Sequence, residues 1–599
     1  MTDALLLFTF SPIQSFIAEA RRAADLYTGS QILVELAKAA GEVIEKHSVD
    51  KKLVYPAALT DDVPNKLVAK VPWEDCESIA AQARAALLRR WHELADEARQ
   101  EYLNKTRLLP FDMDIWNRHI ADDYLWETYW SAASLDGRGY KAAYAEAERG
   151  LAAAKFTRSF SQYLEPGFKD TLSGKREALH PAAQNGREYW LAIGNVKAIT
   201  PITIRPPTAT RPRERLDTIG VIKRFHPNLS EKPIPPFRGF PSTSSMASWT
   251  FLEDARKYAP RQLAEYREAV KVLLPETKYE VRLTDPDWPF DGDLLYLETL
   301  RPKRLESDYG KKESDYSASD LKTAQAKLRA LYGALKQTSK DKGDSSIHIQ
   351  PSPYYAIIVL DGDGIGEYLS TLDEAGHILF SQQLRDFSNA VRDIAEAHLA
   401  RVIYNGGDDV LAFAPLDKAF AFSKALAAAF HDKTKRTASA GIAIAHHLSP
   451  LGTVLRAARR AEGMAKALRH EKNAVCLIAL KRSGEPIEVR SGWEHTAPFE
   501  RLITHFLRDE ISSRLPYDVA RSAYALPAAD DKFESDLRRL LKRHWQKGKA
   551  EDKAASARDL SLALRQWAES FPQADSPSQT EELAGWLALA RFIAKGGRE

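Results

Sequence analysis

Four aspartates in two glycine-rich stretches are the residues best placed for chemistry: Asp361 and Asp363 in LDGDGIG, and Asp408 and Asp409 in YNGGDDVLAF. Carboxylates brought together repel one another unless a cation joins them. Hard oxygen ligands suit Mg²⁺ or Mn²⁺, which keep several waters and bind through one or two carboxylates plus substrate phosphates. Two such ions about 3.5–4 Å apart lower the pKa of an attacking hydroxyl and stabilise a leaving pyrophosphate, the chemistry that makes a phosphodiester from a nucleoside triphosphate. The glycines fit this reading. Gly362, Gly364 and Gly366, with Ile365 between them, would offer backbone N–H groups to a triphosphate, and Gly406 and Gly407 would let a phosphate approach the second pair. Lys466, on a helix further along, could reach the β- or γ-phosphate. Plainer readings exist for each feature: Asn-Gly and Gly-Gly are ordinary hairpin residues, and a lone lysine is usually a surface lysine. DGDG also fits a calcium loop, but the glutamate which that loop needs at its twelfth position is missing.

The four aspartates meet only if the elements around them form a palm. YYAIIVLDGDGIG (354–366) reads as a strand, FSQQLRDFSNAVRDIAEAHL as a helix and RVIYNGGDDVLAFAP as a hairpin. AFAFSKALAAAFHD follows as a helix, TASAGIAIAHH (437–447) as a strand and LGTVLRAARRAEGMAKALRH as a closing helix. This β-α-β-β-α-β order is ferredoxin-like, and it sets the end of the first strand beside the hairpin turn. The same order starts near the N-terminus, where LLLFTFS (4–10) reads as a buried strand and two helical patterns follow. Strand-like runs LVYPAAL (53–59) and KLVAKVP (66–72) come next, then an amphipathic helix from about 74 to 103. Residues 104–190 read as mostly helical, and the charged stretch 302–350 as a partly mobile connection. The expected fold class is α+β, with two ferredoxin-like (polymerase/cyclase) palms joined to helical domains. The expected divisions are a first, inactive palm (1–105), a helical and basic middle domain without a zinc site (106–245) and a linking helical, charged region (246–350). A second palm with the GGDD site (351–497) and a C-terminal helical bundle (498–599) complete the chain.

A chain of 599 residues is too long for one core. No run of about 18 apolar residues could span a bilayer, and the opening MTDALLLFTFSP lacks the basic start of a signal peptide, so a cytoplasmic protein with no membrane partner is expected. Cys76 and Cys476 supply neither a disulfide framework nor a zinc site, and both read as buried apolar residues. A net charge of +3 does not by itself announce a nucleic-acid binder. Local clustering says more: Arg205, Arg211, Arg213, Arg215, Lys223, Arg224 and Arg238 fall in one Pro-rich stretch, where several could face a phosphate backbone.

Taken together, these motifs resemble the large subunit of type III CRISPR effector complexes, the "Cas ten" family, in its Cmr (type III-B) version. FSPIQSFIAEARRAADLYTGSQIL resembles that family's first-palm opening and VPNKLVAKVP the strand that follows. RPRERLDTIGVIKRF and FPSTSSMAS resemble its middle region, LDGDGIGEYL and NGGDD its second palm, and SAGIAIAHHLSPL with RRAEGMAKAL its close. The resemblance implies a nucleotidyltransferase that converts ATP, when target RNA pairs with the guide, to an adenylate second messenger. That messenger is a cyclic oligoadenylate or, with S-adenosylmethionine as co-substrate, a conjugate with AMP. It implies Mg²⁺ or Mn²⁺ held by Asp361, Asp408 and Asp409 with help from Asp363, and Gly29 and Ser30 of the first palm facing a second nucleotide. The implied partners are guide and target RNA, a subunit binding the guide 5′ handle, backbone subunits and a small subunit. Two departures are visible. No His-Asp dyad precedes the first palm, so HD nuclease activity is not expected, and two distant cysteines cannot build the four-Cys zinc motif of many relatives. Two other readings remain: a diguanylate cyclase-like enzyme, because GGDD resembles GGDEF, and a catalytically silent RNA-binding scaffold.

Overall fold

The computed structural model describes residues 2–597 apart from 108–110, 158–162, 201–202, 231–232, 277–278, 283, 524–526, 548–549 and 574–577. Two sheets organise it. The second, which carries the aspartates, has six strands in the order β5-β6-β4-β7-β8-β9. These are β4 (Tyr354–Gly362), β5 (Arg401–Asn405), β6 (Asp409–Pro415), β7 (Ala438–His446), β8 (Ala474–Leu480) and β9 (Ile487–Gly492). The first four form the expected palm, with β4 antiparallel to both β6 and β7. The last two extend the sheet beyond that palm: β8 runs parallel to β7, and β9 forms the outer edge. Alternate side chains of β4 enter different cores, Tyr355 and Ile357 on one face and Ala356, Ile358 and Leu360 on the other. Both faces of the strand are apolar for that reason.

The first sheet, ordered β2-β1-β3, joins β1 (Asp3–Ser11), β2 (Lys66–Pro72) and β3 (Glu127–Ser134). It differs from the sequence expectation in two elements. LVYPAAL is not a strand: it contributes one bridge, Tyr55 to Val68, and Pro56 follows at once, so the second palm strand is reduced to a contact. Residues 127–134, in the region read as helical, are the strand that completes this palm against β1. Thr128, Tyr129 and Trp130 suit a pleated surface, and pairing with β1 decides the strand. The charged region before residue 350 is also not a mobile connection. Helices Trp249–Tyr258, Pro260–Leu273 and Ala318–Lys342 enclose a core of their own around Tyr266, Trp288 and Leu328.

The two palms share both cores: Leu6 and Phe8 of β1 lie in one with Ile357, Leu5 and Leu7 in the other with Ile358. Polar contacts tie them as well. Lys70 donates to Glu374 at 3.0 Å, Arg392 to Asp62 at 2.7 Å, and Tyr140 hydrogen-bonds His377 at 2.8 Å. The C-terminal helices, from Ala497–Leu507 to Gln579–Ala594, cover the β9 side, where Trp586 and Leu587 are buried. Among the described residues no helix is long and apolar enough to cross a membrane.

The basic stretch also departs from expectation. Lys223 and Arg224 are buried, and neither faces outward. Arg224 forms a bidentate pair with Asp25 at 2.6 and 2.7 Å, and Lys223 donates to the Glu19 carbonyl at 2.9 Å. Arg213 donates to the Ser307 carbonyl and Arg215 lies over the Phe168 ring at 4.1 Å. His119 is buried between Thr218 and Glu165, while Asp122 pairs with His92, so these residues form no joint dyad. Burial acts to raise the pKa of Glu214, but Arg22 and Arg224 hold it down at about 2. A depressed carboxylate stabilises the fold above its unfolded value and loses that contribution as pH falls through the folded value. Glu214→Gln is therefore expected to lower the thermal midpoint at pH 7, with most of the difference from the parent gone near pH 2, as melts across that range would show.

Candidate active site

The acidic site is built by register. Asp361, the penultimate residue of β4, stands opposite Asp409, the first residue of β6. The Gly362 N–H donates to the Asp408 carbonyl at 2.9 Å, and the Gly406 N–H to the Asp409 carbonyl at 2.9 Å. Strand end and turn are thus locked together. Two of the turn glycines are required sterically. A Cβ on Gly406 would collide with the Tyr404 hydroxyl and Asp409 Oδ1, and Gly407 has φ +98°. Gly406→Ala is expected to displace Asp409 or Tyr404 and cost about 1–3 kcal/mol, the range for overpacking a closed site, measurable as a lower unfolding midpoint with wild-type secondary structure.

The electrostatics follow from burial and proximity. Burial, then Asp361, pushes the Asp408 pKa up to about 6, and burial with Asp408 and Asp361 raises Asp409 well above the usual carboxylate range. Burial also raises Asp361, more than Lys466 compensates. Lys466 pairs with Asp361 and, at 2.8 Å, with Glu462, so it neutralises a carboxylate here and does not stand free for a phosphate. Asp363 does not join the group. Its carboxylate accepts from Ser439 Oγ at 2.9 Å and the Asn473 N–H at 2.9 Å, bracing β7 against the start of β8. The expected cluster of four carboxylates is therefore three, because the side chain two residues beyond Asp361 turns into the sheet's far neighbours.

The glycines divide similarly. The Gly362 N–H is committed to the hairpin and is not part of a free nest. A Cβ placed on Gly364, at φ +67°, or on Gly366 would meet nothing within 4 Å, so the approach over them is open. Ile365 is buried and can offer only its backbone. Gly29 and Ser30 are buried in the helix Ala23–His47, with Gly29 backed by Lys223 and Ile17. They present no open face to a nucleotide, and the small residue serves close packing.

Other residues at the site come from distant sequence. The Tyr55 hydroxyl of the first palm lies above Gly407, and Asp408 and Asp409 both act on it electrostatically. A cleft lined by Tyr55, Thr60, Asp62, Ser381, Arg385 and Gly407 opens beside the turn. On its wall Ser381 Oγ is buried without a hydrogen-bond partner among the described residues. No local pattern marks Tyr55 or Ser381, since they become site residues only when the palms meet.

No group of three or more His, Cys, Asp or Glu side chains forms a metal cage among the described residues. Mg²⁺ and Mn²⁺ need no such cage, because these ions complete their shell with water and substrate phosphate. Half-buried carboxylates with raised pKa values are also what a cation would relieve.

Comparisons with known proteins agree with this architecture. Residues 354–476 match the family model described as Cas10/Cmr2, second palm domain, and residues 5–63 match CRISPR-associated protein Cmr2, N-terminal. The CRISPR system Cmr subunit Cmr2 of Pyrococcus furiosus is 28% identical over 259 residues, a match covering 38% of this chain and 27% of that protein. The match thus spans about a quarter of the curated relative's length. Among solved structures, a type III-B Cmr-beta complex in the apo state contains a chain similar with TM-score 0.68 at 12% identity, covering 100% of this chain and 82% of that one. The same complex bound to cognate target RNA gives TM-score 0.67 at 12% identity, covering 100% and 83%. At such identity the structural likeness is one of fold. With two palms in this order and an acidic hairpin turn on the second, residues 354–476 carry a palm of the Cas10/Cmr2 type and residues 5–63 a segment of the Cmr2 N-terminal type, each in its expected place along the chain.

Proposed function

We propose that this chain is the large subunit of a type III-B CRISPR effector complex, and that its second palm converts ATP to an adenylate second messenger when target RNA pairs with the guide. The observation that carries the reading is the pairing of Asp361 with Asp409 across β4 and β6, with Asp408 tied to Gly362 beside them. In this reading a ribose hydroxyl of one nucleotide attacks the α-phosphorus of another, a P–O bond forms, and the bond to pyrophosphate breaks. Asp361, Asp408 and Asp409 would hold Mg²⁺ or Mn²⁺, which supplies activation of the hydroxyl and neutralisation of the leaving charge. The open approach over Gly364 and Gly366 admits a triphosphate, and the neighbouring cleft brings the Tyr55 hydroxyl of the first palm close to the turn. Lys466 balances Asp361 before substrate arrives and becomes available to phosphate once a cation takes its place.

The product is a cyclic oligoadenylate, or an AMP conjugate if S-adenosylmethionine is the co-substrate. Guide and target RNA, a subunit holding the guide 5′ handle, backbone subunits and a small subunit are the partners of this reading. The test incubates the assembled complex, with guide and complementary RNA, with Mg²⁺ or Mn²⁺ and labelled ATP or GTP. An adenylate product identified by mass spectrometry and dependent on target RNA is expected. A dimer made from GTP, or no product from either nucleotide, would overturn the proposal.

A further inference from the structure

We infer that the start of the first palm's long helix, with the loop at residue 205, is a binding site for the phosphodiester backbone of single-stranded RNA, with Arg21 and Arg205 as its outward contacts. The inference rests on the reading of this chain as part of an RNA-bearing complex, and it locates one contact within it. The site is built around two buried carboxylates. Asp25 accepts both arms of Arg224 at 2.6 and 2.7 Å and the N–H groups of Arg21 and Arg22 at 3.1 and 3.0 Å. Glu214 Oε2 accepts from Arg22 at 3.2 Å, from Arg224 at 3.4 Å and from the Arg205 N–H at 2.7 Å.

These pairs already account for holding the helix in place. Arg21 and Arg205 are exposed and form no ion pair with a carboxylate among the described residues. Arg21 donates one guanidinium arm to the Arg213 carbonyl at 3.3 Å, which orients it and leaves other donors for a ligand. Two guanidiniums, Arg22 and Arg224, therefore take up the two carboxylates, those of Arg21 and Arg205 stand beside them with no carboxylate partner among the described residues, and after burial the neighbouring arginines are among the causes that lower Arg21 and Arg22. Folding gains nothing from that excess of positive charge. An incoming anion relieves it, and the guanidinium fork matches phosphate oxygens. The leftover acceptor, Glu214 Oε1, is buried and does not meet such an anion.

The outward arginines lie along an open surface and not in a pocket. With Arg211 exposed on the same loop, the arrangement suits successive phosphates of a chain better than one free nucleotide. The bland alternative, a solvated basic rim on a structural ion network, predicts no ligand.

Binding of a labelled single-stranded uridine oligomer to the full-length protein, followed by anisotropy across salt concentrations, tests the inference. Arg21→Ala with Arg205→Ala leaves both buried pairs intact, and is expected to weaken binding about tenfold and to flatten the slope of log affinity against log salt by about 1, the share of one to two phosphate contacts on a single strand. Arg205→Lys should retain part of the affinity. If the double variant is not folded by its melting profile, Arg205→Gln alone is used, with a several-fold loss expected. Parental affinity and slope in the folded variant would overturn the inference, as would displacement of the oligomer by polyglutamate or by ATP at matched charge. Product formation from ATP is read separately, so a silent palm and a failed RNA contact give different results.

Discussion

Asp408→Ala combined with Asp409→Ala is expected to abolish target-dependent product while guide and target RNA binding persist. The two side chains are the half-buried acidic face of the hairpin turn, locked against Asp361 by strand register. Removing groups that stabilise developing charge typically costs about 10²–10³ in rate each, so a loss of roughly 10³-fold or more is expected for the pair. Asp363 provides the internal control. Its carboxylate is occupied by Ser439 and Asn473 and braces the sheet, so Asp363→Asn should lower the melting midpoint and leave turnover per folded molecule within a few-fold. Equal turnover by the parent and the double variant would remove the metal assignment. Equal loss of turnover by Asp363→Asn at full stability would return Asp363 to the ligand set.

Asp408→Asn is expected to stabilise the metal-free protein at neutral pH. Burial and Asp361 raise the Asp408 pKa from 3.8 to about 6. A carboxylate whose folded pKa is raised costs stability above that value, because the charged form is disfavoured only in the folded state. As pH falls through about 6 the folded protein takes up the proton and the cost fades. The shift corresponds to about 2–3 kcal/mol at pH 7 in the absence of cation. The neutral amide removes that cost and also the repulsion that helps raise Asp409. Two measurements check this. The midpoint of the variant should exceed the parent's at pH 7.5, by less at pH 5, and approach it only near pH 4, where the carboxylate is protonated in both the folded and the unfolded chain. Millimolar Mg²⁺ with a nucleoside triphosphate should raise the parent's midpoint more than the variant's, because ligand binding to the native state stabilises by mass action.

The site's chemistry depends on surroundings that are not local. Lys466 reaches Asp361 from the helix Leu451–Lys466, and Tyr55 comes from the other palm altogether. The turn can present charge at the sheet edge because its glycines tolerate the crowded backbone, and because apolar strands on both sides bury everything except the carboxylates.

Sequence alone determined the parts in which local pattern and tertiary role coincide. The alternation and apolar run of YYAIIVLDG, the Gly-Gly turn and the helical spacing between them define β4, the hairpin and the palm order, and from that order alone Asp361 must meet Asp408 and Asp409. The C-terminal helices were equally legible, since their period is carried by their own residues. What only the tertiary structure decided was where one local signal served two states or where the partner lay far away. ETYWSAAS became a strand because β1 offered an edge, and LVYPAAL shrank to a single bridge because its proline removes a ladder donor. Asp363 left the acidic group because the Ser439 hydroxyl and the Asn473 N–H offered it donors, and Lys223 and Arg224 went inward because Glu19 and Asp25 were there to receive them. A charged side chain's direction is set by whichever partner compensates its desolvation, and that partner is fixed by packing, which no neighbouring residue in the sequence records.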